Sequence, residues 1–186
     1  MSIRRTQKKI QQGADSDEKH VTELEKVFEK ASNNFRYRWG VAVFENFFRQ
    51  HPKFFHEKLL CRMGLLYDHL ALKTPRHRRY YEQKALQIYH RVLKRNPNSS
   101  RATWGVGRVW WHRKSLKALP YALKAYRLIQ REKERASARG MYAQSVGLVY
   151  ESLGDFESAE KWLLRGLKES SNDWSPYLNL VVFYRY

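Results

Sequence analysis

The stretch "GLVYESLGDFESAEKWLLRGL", Gly147 to Leu167, sets a glycine three residues before a tyrosine, a Gly-Asp pair four residues after it and an alanine nine residues after it. Apolar residues on both sides of Gly154-Asp155 recur at threes and fours, the period of a helix and not of a strand. The pair therefore reads as a turn between two helices. Glycine relaxes the constraint on φ, and the Asp155 side chain can cap the helix that follows. On the first helix the small Gly147 lets the second approach closely, and Tyr150 fills the space between them. Ala159 is the small contact where the second helix crosses back, and Leu163 is the apolar knob one turn on.

The spacing recurs along the chain. Gly107 precedes Trp110 by three and Ala122 precedes Tyr126 by four. Gly64 precedes Tyr67 by three, Ala85 precedes Tyr89 by four, and Pro97 closes that unit. Downstream, Tyr184 lies 34 residues after Tyr150, with Val181 before it. Upstream, Gly40, Phe44, Phe47 and Pro52 look like the second half of another unit, whose first helix would run from about His20 to Ala31.

These residues resemble the tetratricopeptide repeat, a helix–turn–helix unit of about 34 residues with G-x2-Y, then A-x3-F, then Pro. The resemblance implies an all-α fold, a right-handed α-solenoid of antiparallel helix pairs. The expected organisation is a mobile tail over 1–19 and a repeat domain over 20–186. Its units would span about 20–55, 57–99, 100–139 and 140–173, with a half unit at 174–186. The spacing departs from the pattern in places. About nine extra residues follow Tyr67, and three separate the Trp110 and Ala122 halves of their unit, where Pro120 suits the first turn of a helix. A half-a-repeat variant, found in RNA-processing scaffolds, is the neighbouring reading because Trp and Tyr are abundant; the Gly-Asp turn favours the tetratricopeptide one.

Hydrophobic residues make up 42% of the chain, enough for a sizeable core. No apolar run reaches the roughly 18 residues that would span a membrane, so no membrane insertion is expected. The N-terminus lacks the apolar run of a secretory signal, and a cytoplasmic location is the default. The single Cys61 excludes an internal disulfide and a Cys-based zinc site, and its apolar neighbours suit a small core residue. The net charge of +18 is unevenly placed. Residues 51–140 hold 22 Lys and Arg against five Asp and Glu, whereas residues 141–186 hold four against six. A basic block of this kind attracts nucleic acid, acidic protein segments or anionic lipid heads.

Nothing in the sequence has the pattern of a catalytic site, and no enzyme activity, cofactor or metal is expected. The seven histidines form no H-E-x-x-H pair, and the GVG at 105–107 lacks the Gly-Lys of a phosphate loop. The sharper constellation lies in "RATWGVGRVWWHRK". Arg101, Trp104, Arg108 and Trp111 follow one another by three, four and three, so they share a helical stripe flanked by His112. Thr103, Val106, Gly107 and Trp110 form the adjoining stripe, which carries the packing signature. In the tetratricopeptide family first helices line the concave groove, so the resemblance puts Arg101, Trp104, Arg108 and Trp111 in a ligand-binding groove. Arg forks and indole faces suit an acidic or phosphorylated segment, and they also suit single-stranded nucleic acid. The alternative is that both indoles pack on neighbouring helices while the arginines cover them.

The insertion "KTPRHRRYYEQ" is a second candidate, an anion-binding loop of Arg76, Arg78, Arg79 and Tyr80, against the plain reading of a solvated loop. Arg91, Lys94, Arg95, Lys124, Arg127 and Arg131 fall on second helices and read as solvated faces. Family members that grip a C-terminal carboxylate use a Lys and Asn set; the corresponding exposed positions here include Arg101, Arg108, Gln144 and Leu148, and only Asn179 fits, so that clamp is not expected. The expected function is a non-catalytic scaffold holding a protein or peptide segment, acidic in character, in a basic and aromatic groove. The rival is an RNA- or DNA-associated protein using the basic surface of 51–140. The apolar "LNLVVFY" near the C-terminus predicts self-association through residues 174–186, by Tyr177, Leu180, Val181 and Tyr184, or a longer array of which this chain is a part.

Overall fold

Helix follows helix wherever the threes-and-fours spacing holds. In the computed structural model, the residues described are 3–132, 136–170, 180, 183 and 184, with backbone alone at 3–16 and 136–137. They form α1 (Ile3–Asn33), α2 (Tyr37–Gln50), α3 (Glu57–Lys73), a 3-10 turn (Pro75–His77), α4 (Arg78–Arg95), α5 (Ser100–His112), α6 (Ala118–Ile129), α7 (Ala136–Ser152) and α8 (Phe156–Glu169). There is no strand among the described residues. The fold is an all-α helical repeat, and it divides into two compact units, residues 1–84 and 85–186, with the division inside α4.

In the first unit α1 packs on α2 and α3. Leu24 and Ala31 of α1, Val41 and Phe44 of α2, and Leu59, Leu66 and Leu70 of α3 are buried. The close approach is at Gly40, where a Cβ would lie 2.6 Å from the Ala31 methyl. The Tyr67 hydroxyl donates to Glu45, tying α3 to α2, and burial together with that carboxylate pushes its pKa up. Glu25 of α1 takes Lys58 of α3 at 2.5 Å and Arg62 at 3.6 Å, and the Lys58 hydrogen bond holds its carboxyl below the usual range. His56 starts α3 as its cap: Nδ1 accepts from the Leu59 amide at 3.3 Å, and burial holds the imidazole below its ordinary value.

Two local expectations are corrected here. α1 begins at Ile3, well before the His20 start that its apolar spacing suggests. The extra residues after Tyr67 do not form a loop. They extend α3 to Lys73, make a one-turn 3-10 helix and open α4, so Arg78, Arg79 and Tyr80 are helical and only Arg76 lies in the connection. Arg78 Nε donates to the buried Glu82 at 2.8 Å, an i,i+4 pair within α4's first turns.

In the second unit α5 packs on α6, α6 on α7 and α7 on α8. Its core joins Ala118, Ala122, Ala125, Tyr126 and Ile129 of α6 to Tyr142, Ala143, Val146 and Val149 of α7. α7 and α8 meet backbone to backbone. A Cβ at Gly147 would lie 2.9 Å from Leu163 Cγ and 3.0 Å from the Ala159 carbonyl, and one at Gly140 would lie 2.7 Å from the Gly166 carbonyl. Gln144 is buried where Gly166 leaves room for it, so its position is not an exposed groove position as the family pattern implied. Ser99 caps α5 by accepting from Ala102, and Asp155 caps α8 by accepting from Ser158. Tyr126 of α6 donates to Glu169 of α8 at 2.6 Å; burial, then that bond, pushes the phenol up to about 12.

Of the segment 174–186 only Leu180, Phe183 and Tyr184 are described; Tyr177 and Val181 lie outside the described residues. Leu180 is buried, Phe183 meets Phe156 with ring centroids 6.3 Å apart, and the Tyr184 hydroxyl donates to Glu160 of α8.

Candidate functional site

α5 carries the basic and aromatic stripe because Ser99 fixes where the helix starts and the threes and fours do the rest. Arg101, Trp104, Arg108, Trp111 and His112 are all half-buried. The Trp104 and Trp111 rings sit 6.5 Å apart, tilted by 31°, and Trp111 meets the His112 ring at 4.9 Å. Both indoles rest on the α6–α7 core cluster, and Trp104 also lies 3.2 Å from where a Gly107 Cβ would be. One part of each indole packs on that cluster, and the remainder reaches the surface. Trp110, on the adjoining stripe, is half-buried against the same cluster and has the Arg113 and Lys117 cations each 4.9 Å from its ring.

The second candidate group is dispersed by helix formation. Arg76, Arg79 and Tyr80 are exposed, Arg78 is half-buried on Glu82, and Lys84 lies 5.6 Å from the Tyr80 ring. The cations expected on second helices, Arg91, Lys94, Arg95, Lys124, Arg127 and Arg131, are exposed.

A third constellation, in the first unit, has no motif to announce it. The segment Phe35–Trp39 alternates aromatic and cationic residues: Phe35, Arg36, Tyr37, Arg38, Trp39. With Leu70, Lys73 and Thr74 from the end of α3 it lines an open cleft of about 570 Å³. None of those lining residues is acidic. Lys30 Nζ and the Arg36 guanidinium each lie 5.7 Å from the Trp39 ring, and Lys73 Nζ lies 5.9 Å from the Phe35 ring. Tyr37 forms the floor, buried and stacked on His69 at 4.8 Å. Phe35 is 72% exposed with φ at 54°, in the left-handed region.

That φ has a structural origin. The Phe35 amide bonds the Ser32 carbonyl and the Arg36 amide bonds the Ala31 carbonyl, which is the Schellman ending of a helix. The same pair of bonds closes α5 around Lys114, at φ 49°, and α7 around Gly154, at φ 83°. Three helix-to-helix turns are thus copies of one backbone device, while α3 ends differently, on the Thr74 amide to the Leu70 carbonyl. The chain has a tetratricopeptide-like fold. It is similar to a thermophilic TPR protein from Thermus thermophilus, with a TM-score of 0.73 at 13% identity over 91% of this chain and 88% of that one. It is also similar to a MamA RS-1 double mutant, with a TM-score of 0.54 at 19% identity over 78% and 74%. A MamA point mutant gives a TM-score of 0.53 at 16% identity over 91% and 88%. No protein-family model and no curated protein matches the sequence.

Among the described residues of this repeat fold no group of three His, Cys, Asp or Glu side chains is placed to hold a metal ion. No described helix is long and apolar enough to cross a membrane. Cys61 is buried.

Proposed function

We propose that this protein is a non-catalytic interaction scaffold that holds an extended, acidic protein segment against the α5 stripe. The observation that carries the reading is the pairing of Arg101 and Arg108 with the half-exposed, mutually adjacent Trp104 and Trp111 on one helix face. Indoles whose inner edges are fixed by the α6–α7 core lose little side-chain freedom on binding, and guanidinium forks recognise carboxylates with defined geometry. His112, against Trp111, bounds the stripe. The basic excess over residues 51–140 adds long-range attraction without sequence specificity.

The reading is tested by anisotropy of a labelled oligo-glutamate carrying apolar residues at intervals, titrated with wild type and with Arg101→Gln and Arg108→Gln. Each substitution is expected to weaken binding about tenfold, the worth of one charge-assisted hydrogen bond. Equal affinity in all three proteins removes the stripe from the binding surface.

A further inference from the structure

We infer that the Phe35–Trp39 cleft of the first unit is a second, independent binding site, and that it takes single-stranded nucleic acid.

The starting point is a residue in the wrong place for stability. The position that closes a Schellman turn favours glycine, or asparagine, because other side chains meet the backbone at positive φ. At the matching place the chain has Gly154 after α7 and the unbranched, exposed Lys114 after α5, and just before Phe35 stand two asparagines, Asn33 and Asn34. A bulky aromatic ring there is strained, and with 72% of its surface exposed it gains little from packing. The next position repeats the pattern. Asp155 caps α8, whereas Arg36 holds the equivalent place before α2 and makes no side-chain cap bond. Both turn positions carry residues suited to a ligand and not to the turn.

The surroundings define that ligand. Arg36, Arg38 and Lys73 line the cleft, Lys30 adds a further cation at Trp39, and none of the four is in an ion pair among the described residues. Cations alone would suit any polyanion. The exposed Phe35 face and the half-buried Trp39 narrow the choice, since each has a cation beside its ring. An aromatic face carries partial negative charge, so it meets an acidic segment only through that segment's apolar residues, whereas a planar nucleobase can use the whole face. A nucleobase stacks on it, leaving its phosphates beside the neighbouring cations, which is how single strands are held without sequence preference. The cleft volume, about 570 Å³, accommodates a base with its sugar and phosphate.

The decisive variant is Phe35→Gly, because it separates a role in binding from a role in the fold. If the ring serves the fold, removing it lowers the melting temperature. If it serves a ligand, removing it relieves the strained turn, so the melting temperature holds or rises while binding falls. Anisotropy would follow labelled oligothymidylate and oligouridylate of about twelve nucleotides, a length within the usual site size. Heparin and oligo-glutamate would serve as anions without bases. Phe35→Gly is expected to weaken both oligonucleotides about tenfold and to leave heparin unchanged. Arg36→Gln and Arg38→Gln are expected to weaken oligonucleotide and heparin alike, each reducing the salt slope by about one. Unchanged oligonucleotide affinity in Phe35→Gly overturns the proposal. So does the same Phe35 dependence with oligo-glutamate, which would make the occupant an acidic segment, and so does a lowered melting temperature with loss of every ligand. Arg101→Gln, which tests the α5 stripe, is expected to leave this site's Phe35 dependence intact.

Discussion

Phe35 and Gly154 hold the same place in the same turn. Each donates its amide to the carbonyl three residues back, and the residue after each reaches the carbonyl five back. After Gly154 comes Asp155, whose carboxylate accepts from the Ser158 amide at 3.0 Å and caps α8. After Phe35 comes Arg36, with φ and ψ of −91° and 46° near the −88° and 79° of Asp155, and no cap bond. The two hairpins also share a packing plan: counting from the turn, Gly40 of α2 stands where Ala159 of α8 stands, each at the crossing with the preceding helix. Backbone and packing therefore specify the hairpin, and the two turn residues can change without changing it. The α7–α8 turn uses that freedom for stability, and the α1–α2 turn uses it to present a ring and a cation.

The largest effect should come from what the two hairpins share. Gly147→Ala would press a methyl against Leu163 and the Ala159 carbonyl, and Gly40→Ala would press one against Ala31 and Leu66. Overpacking costs about 1–3 kcal/mol, offset in part by the ~1 kcal/mol that alanine gains over glycine in a helix. Urea unfolding should show a loss for both. A neutral Gly40→Ala would mean that α1 and α2 can separate slightly, and the shared plan would fail. Gly105→Ala should be worse than either, because its methyl would lie 2.3 Å from the buried Tyr89 ring, while Gly107→Ala meets nothing nearer than 3.1 Å.

Exchanging the turn residues should come next. Gly154→Phe puts a side chain into open space, since nothing lies within 4 Å of its would-be Cβ, so the cost is the left-handed backbone alone, about 1–2 kcal/mol. Phe35→Gly should recover part of that amount, less the freedom glycine adds to the unfolded chain. Opposite signs in thermal unfolding support the comparison. A neutral Gly154→Phe would remove the strain on which the reading of Phe35 rests.

The motif made the α7–α8 hairpin legible because each geometry there has its favoured residue: Gly147 at the crossing, Gly154 at positive φ, Asp155 at the cap. The α1–α2 turn has the same geometry and none of those residues, so a pattern written in residue types could not find it. The α5 stripe was legible from spacing, yet spacing could not divide each indole between core and surface; contact with the α6–α7 cluster does that. Gly105 and Gly107 look alike in GVG, and only the position of Tyr89 makes the first the tighter. Arg78 to Tyr80 look like part of a loop in the sequence because Pro75 interrupts the helical period. Pro75 instead fits the start of a 3-10 turn, where its missing amide proton costs nothing, and helix resumes three residues later. His56 as a cap and the Tyr67–Glu45 and Tyr126–Glu169 bonds leave no local signal, since their partners lie on other helices or are of an uncommon capping type.

A smaller change should come from giving the first turn the cap it lacks. Arg36→Asp places a carboxylate where Asp155 stands in the other hairpin, within reach of the free amides at the start of α2. A cap of this kind is worth about 0.5–2 kcal/mol, and the lower end applies where the acceptor is exposed. The variant should be more stable than wild type and poorer in oligonucleotide binding. A gain in stability with binding unchanged would mean that Arg36 is there by accident and not for a ligand.

The smallest expected effect separates the turns by acid. The Asp155 carboxyl is held below its ordinary 3.8 by the Ser158 amide hydrogen bond, whereas Arg36, at the matching place, makes no side-chain cap bond. A carboxyl whose pKa is depressed in the folded protein contributes stability above its unfolded value, and that contribution is lost as pH falls through the folded one. The window therefore lies below the ordinary 3.8. Asp155 is fully exposed, so water already screens it, and the change should be a local fraying of α8's first turn and not global unfolding. Amide exchange, corrected for its intrinsic pH dependence, should show Ser158 losing protection in this window while Gly40, which stands where Ala159 does and whose amide bonds the Arg36 carbonyl, keeps its own. Equal loss at both amides would mean that acid opens the hairpins through packing and that the Asp155 cap contributes nothing of its own.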